Sequence, residues 1–222
     1  MNLKINNEGW VYLVCSILIT IIVFPFFNIL GIFFIIVSIF IFYFFRDPIR
    51  SVPNAKVIVS PGDGKIVFVG ESAYPEETNI NEKALKISIF LSIFDVHVNR
   101  IPTSGTVKKI IYVPGKFFNA SFDKSSKQNE RNILIIENDK KENFVVSQIA
   151  GLIARRIICN LAAKQQVIKG DRFGIIKFGS RVDLFMPNNY KAMVIKDQIV
   201  VGGETIISNP DNIKEITTSI KK

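Results

Sequence analysis

No charged residue occurs between Trp10 and Phe45. A run of that length has to leave water, either into a protein core or into lipid, so it fixes the first design decision of the chain. It is longer than the apolar core of a signal peptide, and no small-residue cleavage site follows it. Pro25, Asn28 and Gly31 interrupt it near the middle, which predicts two short apolar helices over roughly 11–25 and 30–45. Each falls short of the ~20 residues that span a bilayer comfortably. A helical hairpin that returns the chain to its starting side is the preferred reading. A single long tilted helix and a hairpin buried only partway are the alternatives. No polar stripe marks a side that would meet water, which argues against a hairpin packed inside a soluble protein. Lys4 precedes the run, and Arg46 and Arg50 follow it. Positive charge at both ends favours both ends in the cytoplasm.

The expected organisation is therefore an anchor over residues 1–45 and one compact domain over residues 46–222. Of the 28 basic and 19 acidic residues, only Lys4 and Glu8 lie in the first part, so 27 and 18 fall in the second and carry the whole excess of +9. A basic domain beside an apolar anchor suits an anionic phospholipid membrane as partner. The two cysteines, Cys15 and Cys159, form no CxxC pair and suggest no framework disulfide.

Pro48 and Pro53 predict an extended linker after the anchor. Beyond it the pattern is mostly short strands. Leu85, Ile87, Ile89, Leu91 and Ile93 alternate with Lys86, Ser88, Phe90 and Ser92, a period of two. Further strands are expected at Val57–Ser60, Lys65–Gly70, Thr106–Val113, Asn132–Glu137, Phe144–Ile149, Gly151–Cys159, Phe173–Phe178, Val182–Met186 and Gln198–Val201. Asn119–Arg131 is polar and without period, so it reads as a long loop. The fold class expected is mainly β (α+β), with the helical hairpin in front of a β-rich domain.

One histidine and two distant cysteines cannot build a usual zinc site, so no metal is expected. Neither a GxGxxG nor a Walker-type loop occurs, and no nucleic acid partner is expected. No GxSxG occurs, although a serine–histidine–aspartate arrangement is recognised by geometry rather than by order. Asp95, His97, Asn99 and Arg100 form a polar cluster at the end of an apolar strand, costly to bury unless it is paired or used. If that strand continued, His97 would share the side of Ile89, Leu91 and Ile93. Gly179-Ser180, between two strand-like runs, and Asp63, between two glycines, read on their own as turn residues.

Six stretches, taken together and in order, change that reading: FFRDPIR, SPGDGKI, FLSIFDVHVNRIP, PGKFFNASFDKSSKQNERN, QIAGLIARRIICNL and GDRFGIIKFGSRVDLFMP. Through them the chain resembles the short bacterial form of phosphatidylserine decarboxylase, across roughly residues 44–187. The resemblance implies that the proenzyme cleaves itself between Gly179 and Ser180. The Ser180 hydroxyl attacks the Gly179 carbonyl, and β-elimination then leaves chains 1–179 and 180–222 as a heterodimer. Residue 180 becomes a covalent pyruvoyl cofactor, which forms a Schiff base with phosphatidylserine and accepts the electrons released with CO₂. By the same resemblance Asp63 and Ser180 belong to the self-cleavage machinery, and His97 protonates or positions the carbanion.

Arg100 stands where longer members carry a second histidine, and a guanidinium is no base at neutral pH. It is expected to hold an oxyanion or the substrate's carboxylate or phosphate, and the base of self-cleavage falls to His97 with Asp63. Arg131 and Arg155 are expected to contact the lipid phosphate. Alternative readings are a decarboxylase of another serine headgroup lipid and a non-catalytic, membrane-tethered lipid-binding β-domain. The expected location is the bacterial inner membrane, with the catalytic domain on its cytoplasmic side.

Overall fold

The computed structural model describes residues 3–118, 128–152, 156–177, 179–210 and 219–222. It divides into two units, Met1–Ile49 and Arg50–Lys222.

The first unit is a helical hairpin. Strand β1 (Leu3–Ile5) leads through a 3₁₀ turn into α1 (Trp10–Val23), then α2 (Asn28–Phe44) and strand β2 (Arg46–Pro48), which pairs back on β1. Asn6 caps the turn, its side-chain oxygen accepting from the Glu8 N–H at 3.1 Å. The four residues between the helices leave room only for an antiparallel return. Glycine makes that return close: a methyl group on Gly31 would lie 2.8 Å from Phe24 Cα. The Ser16 and Ser38 hydroxyls meet at 3.0 Å across the helix pair. Almost everything else on the hairpin points outward and is apolar, with Val11, Phe26 and Ile29 exposed by 70%, 77% and 87%. No helix among the described residues is long and apolar enough to cross a membrane.

The second unit is mainly β. Its strands are β3 (Ser51–Pro53), β4 (Ile58–Val59), β5 (Gly64–Ala73), β6 (Lys83–Leu91), β7 (Val98–Arg100), β8 (Gly105–Val113), β9 (Arg131–Glu137) and β10 (Asn143–Ile149). There follow β11 (Ile157–Cys159), β12 (Gln166–Val167), β13 (Arg172–Ile176), β14 (Ser180–Pro187), β15 (Ile199–Val200), β16 (Ile206–Ser208) and β17 (Ser219–Lys221). Eight of them make an antiparallel sheet in the order β12-β8-β9-β10-β14-β6-β5-β15. Bulges in β5 and β8 curl it.

Alternation sorts this sheet into two faces. Ile87, Ile89 and Leu91 of β6 line up with Leu184, Val182 and Ser180 of β14 on the face that holds the main core. The three-stranded sheet β11-β13-β7 belongs to the same core through Phe173 and Ile176. Burying each such side chain is worth about 1.5–3 kcal/mol. The opposite face carries a smaller core of Tyr74, Ala84, Ile133, Ile135, Val145 and Phe185.

Most of the expected strands are present, and three readings need correction. Gly151–Cys159 is a strand only over Ile157–Cys159, with residues 153–155 outside the described set. The expected linker contains two short strands, β2 and β3, each held by a distant partner, β1 and β17. The strand before His97 does not continue: β6 ends at Leu91 and a turn intervenes before β7. Of the expected loop Asn119–Arg131, residues 119–127 lie outside the described set and Arg131 opens β9.

Candidate functional site

The Gly179–Ser180 bond sits where the chain changes sheets. β13 ends at Ile176 in the three-stranded sheet, and β14 begins at Ser180 in the large one. Gly179 makes the crossing with φ at +60°, in the left-handed region. A methyl group there would meet only Ile93, at 3.8 Å, so the demand for glycine is conformational rather than steric. Ser180 opposes Leu91 in the sheet register and is fully buried. Its Oγ has no hydrogen-bond partner among the described residues. A buried hydroxyl left unpaired costs about 1–3 kcal/mol, so an orphan here needs a reason beyond folding.

His97 supplies a titratable group held to the residue before Ser180. After β6, Asp95 closes a turn by accepting from the Ser92 N–H at 2.7 Å. The Asp95 carbonyl then lies 3.0 Å from His97 Nδ1. A carbonyl can only accept, so Nδ1 carries the proton and Nε2 presents its lone pair. That lone pair accepts from the Gly179 N–H at 3.2 Å. The imidazole is fully buried, and its backbone is tied to β13 through the Ile176 N–H. One histidine thus grips the residue that precedes Ser180.

Asp63 lies on the far side of the same short strand. The Pro61–Gly64 turn rests on β7, with the Arg100 N–H donating to the Pro61 carbonyl at 2.9 Å. Asp63 Oδ2 pairs with Arg50 Nη2 at 2.6 Å, and Oδ1 accepts from the Gly202 N–H at 2.9 Å. Burial pushes its carboxyl above the usual carboxylate range. The Arg50 charge and the Gly202 N–H hold it back, and the Asp95 charge adds to the rise. Arg100 is buried, donates from Nη1 to the Gly170 carbonyl at 2.8 Å and packs its stem against Gly203. β7 therefore joins His97 at its entrance to the Asp63–Arg50–Arg100 cluster at its exit.

Two groups were not picked out by sequence reasoning. Arg50, read there as a flanking charge, is the ion-pair partner of Asp63. Gln148, on the Ser180 face of β10, donates to Asn99 Oδ1 at 2.9 Å and accepts from Asn132 at 3.0 Å. This leaves the buried Asn99 Nδ2 without a partner among the described residues. Asn99 was visible in the polar cluster; nothing in a strand pattern marks Gln148.

Arg131 is placed differently from Ser180. It pairs with Ile149, which pairs with Arg181, so it sits on the opposite face of the sheet, where it forms an ion pair with Glu77. A cavity of about 430 Å³ opens on that face, lined in part by Arg131, Lys86, Ser147 and Asp183. Below it Arg181, fully buried, holds Asp183 at 2.6 Å and Ser88 at 2.8 Å. Arg155 lies outside the described residues.

The geometry thus joins a buried hydroxyl unpaired among the described residues, a left-handed glycine before it, an imidazole lone pair on that glycine and a half-buried carboxylate one strand away. The model of the phosphatidylserine decarboxylase family matches residues 37–208. A phosphatidylserine decarboxylase proenzyme of Wolbachia sp. subsp. Brugia malayi (strain TRS) is 48% identical over 209 residues, 93% of this chain and 91% of that protein. Proteins of the same description from Ehrlichia chaffeensis (strain ATCC CRL-10679 / Arkansas) and Pelagibacter ubique (strain HTCC1062) are 48% and 44% identical. Each of those alignments covers 92% of this chain, and they cover 91% and 96% of the respective proteins. With the match spanning both sides of the Gly179–Ser180 bond, the chain belongs to the phosphatidylserine decarboxylase family.

Proposed function

We propose that this chain is a proenzyme that cleaves itself between Gly179 and Ser180 and then converts phosphatidylserine to phosphatidylethanolamine. The observation that carries the reading is the orphaned Ser180 Oγ beside a glycine whose N–H is held by His97 Nε2. In this reading His97 Nε2 releases the Gly179 N–H and takes the hydroxyl proton as Oγ attacks the Gly179 carbonyl carbon. The carbon–nitrogen bond breaks, the nitrogen gains a proton, and an ester replaces the amide. Loss of the Ser180 α-proton expels the Gly179 carboxylate, and water releases ammonia from residue 180. The left-handed Gly179 leaves one face of its carbonyl clear of any side chain of its own. Asp63, kept in place by Arg50 and Gly202, supports the positive charge that His97 acquires.

The buried Ser180, its hydroxyl held by no other group among the described residues, stands where the pyruvoyl group would form. That group supplies the electron sink which decarboxylation of an α-amino acid requires. His97 then sits within reach of the same residue to deliver a proton to the carbon that lost CO₂. Arg100, buried at the end of the strand that leads from His97 toward Asp63, is assigned to the substrate's negative charge.

The hairpin of the first unit is assigned to the membrane. Its helices of 14 and 17 residues extend about 21 and 26 Å at ~1.5 Å per residue, against ~30 Å of hydrocarbon, so they enter the bilayer without crossing it. The inner membrane of a bacterium, with the β unit on the cytoplasmic side, is the location this implies. The test is release of CO₂ from carboxyl-labelled phosphatidylserine in mixed micelles. Purified full-length chain should release it, and Ser180→Ala should not. Equal release by both, or by neither, would refute the assignment.

A further inference from the structure

We propose that the β unit carries its own lipid-docking tip, built from Phe94, Leu152 and Phe118 and distinct from the helical hairpin. The proposal rests on the reading that the substrate is a membrane lipid, and it names the surface through which the site meets that lipid.

The sheet register and the Asn129 side chain put the three side chains at one end of the sheet. Leu91 opposes Ser180, and Ile149 opposes Arg181, so β6 and β10 flank β14 and leave the sheet at the end where Ser180 stands. Strands two apart are separated by about 10 Å. Phe94 comes three residues after Leu91 and Leu152 three after Ile149, and they are 61% and 66% exposed. Phe118 is 44% exposed and is fixed to the same end by Asn129. Asn129 Oδ1 accepts from the Phe118 N–H, while its Nδ2 lies 2.7 Å from both the Phe118 and the Ala150 carbonyls.

Apolar side chains of this size on a rigid loop base leave water cheaply into an acyl layer. The charge around them selects which layer. Lys116, its Nζ over the Phe118 ring, and Arg156 are exposed at this end. Among the described residues of these loops the carboxylates are Asp95, occupied by the Ser92 N–H, and Glu130, which is buried. Cations around an apolar tip match an anionic leaflet rather than a neutral or acidic protein surface. The same turn that exposes Phe94 offers His97 its Asp95 carbonyl, and Ile93 faces Gly179. Seating the tip in lipid therefore brings the Ser180 end of the sheet down to the headgroups.

The experiment places one tryptophan on the full chain. Trp10 is the only tryptophan, so Trp10→Phe with Phe94→Trp leaves a single reporter. On anionic vesicles with brominated acyl chains, that reporter should lose most of its fluorescence, also in a Ser180→Ala chain that makes no product. Ile168→Trp is the control: β12 pairs with the start of β8, so this exposed residue lies at the opposite end of the sheet and should stay unquenched. Phe94→Ser with Leu152→Ser should lower kcat/KM on vesicles on the order of tenfold, while self-cleavage and turnover of a dispersed short-chain phosphatidylserine hold. An unquenched reporter in the Phe94→Trp chain, or equal losses on both substrates, would overturn the proposal. The same reporter shielded in a particle of doubled mass without lipid would assign the tip to self-association and overturn it as well. Quenching without any decarboxylation would count against the enzymatic reading and leave the docking tip standing.

Discussion

Replacing Arg50 by glutamine removes the only cation hydrogen-bonded to Asp63 among the described residues, and the consequence depends on pH in a defined direction. The two side chains are 11% and 15% exposed, between a surface pair worth about 0–1 kcal/mol and a buried pair whose rupture costs about 3–5. Roughly 2–3 kcal/mol is the expected loss near pH 7. Burial already raises the Asp63 pKa, and the Arg50 charge is the largest influence opposing that rise. Without Arg50 the carboxyl moves further up. A carboxyl whose folded pKa lies above its unfolded value binds its proton more tightly when folded. It therefore favours the fold below that pKa and penalises it above. The penalty in Arg50→Gln should thus be full near neutral pH and shrink as the solution is acidified through the variant's Asp63 pKa. Unfolding of the uncleaved Ser180→Ala chain in detergent, with and without Arg50→Gln, followed from neutral pH down through the acid range measures it. A loss of the same size across the whole range in which the fold persists would refute the reasoning. The acid limb of the self-cleavage rate should move to higher pH in the same variant.

His97→Ala should slow self-cleavage by roughly 10²–10⁴, read as persistence of the single chain on a denaturing gel. Gly179→Ala should destabilise the fold by about 1–2 kcal/mol through its left-handed backbone, since a methyl meets little there, and should slow cleavage too. Arg131→Glu should raise KM for the lipid while self-cleavage survives; an unchanged KM would count against a contact between that guanidinium and the phosphate.

The parts legible in the sequence were those set by local pattern. The two helices follow from an uncharged run broken at Pro25, β6 from alternation, and β9 and β10 from short strand-like runs set apart by turn residues. What stayed hidden was non-local. β2 and β3 are three residues each and exist only because β1 and β17 arrive from elsewhere in the chain, so no period announces them. The alternation of β6, extended past Leu91, mispositions the backbone of His97, because Asp95 turns the chain there. Ser180 and Gly179 look like a tight turn by composition. Their place at the crossing between two sheets appears only when β13 and β14 are seen to join different partners. The pairing of Asp63 with Arg50, 13 residues before it, depends on a loop closing on Gly202, which no spacing rule encodes.

The most direct measurement is the intact mass of the purified mature protein. The account predicts two chains, residues 1–179 and 180–222, the shorter lighter than its sequence by one ammonia and blocked to N-terminal sequencing. An active preparation consisting of one unbroken chain with Ser180 unmodified would contradict it.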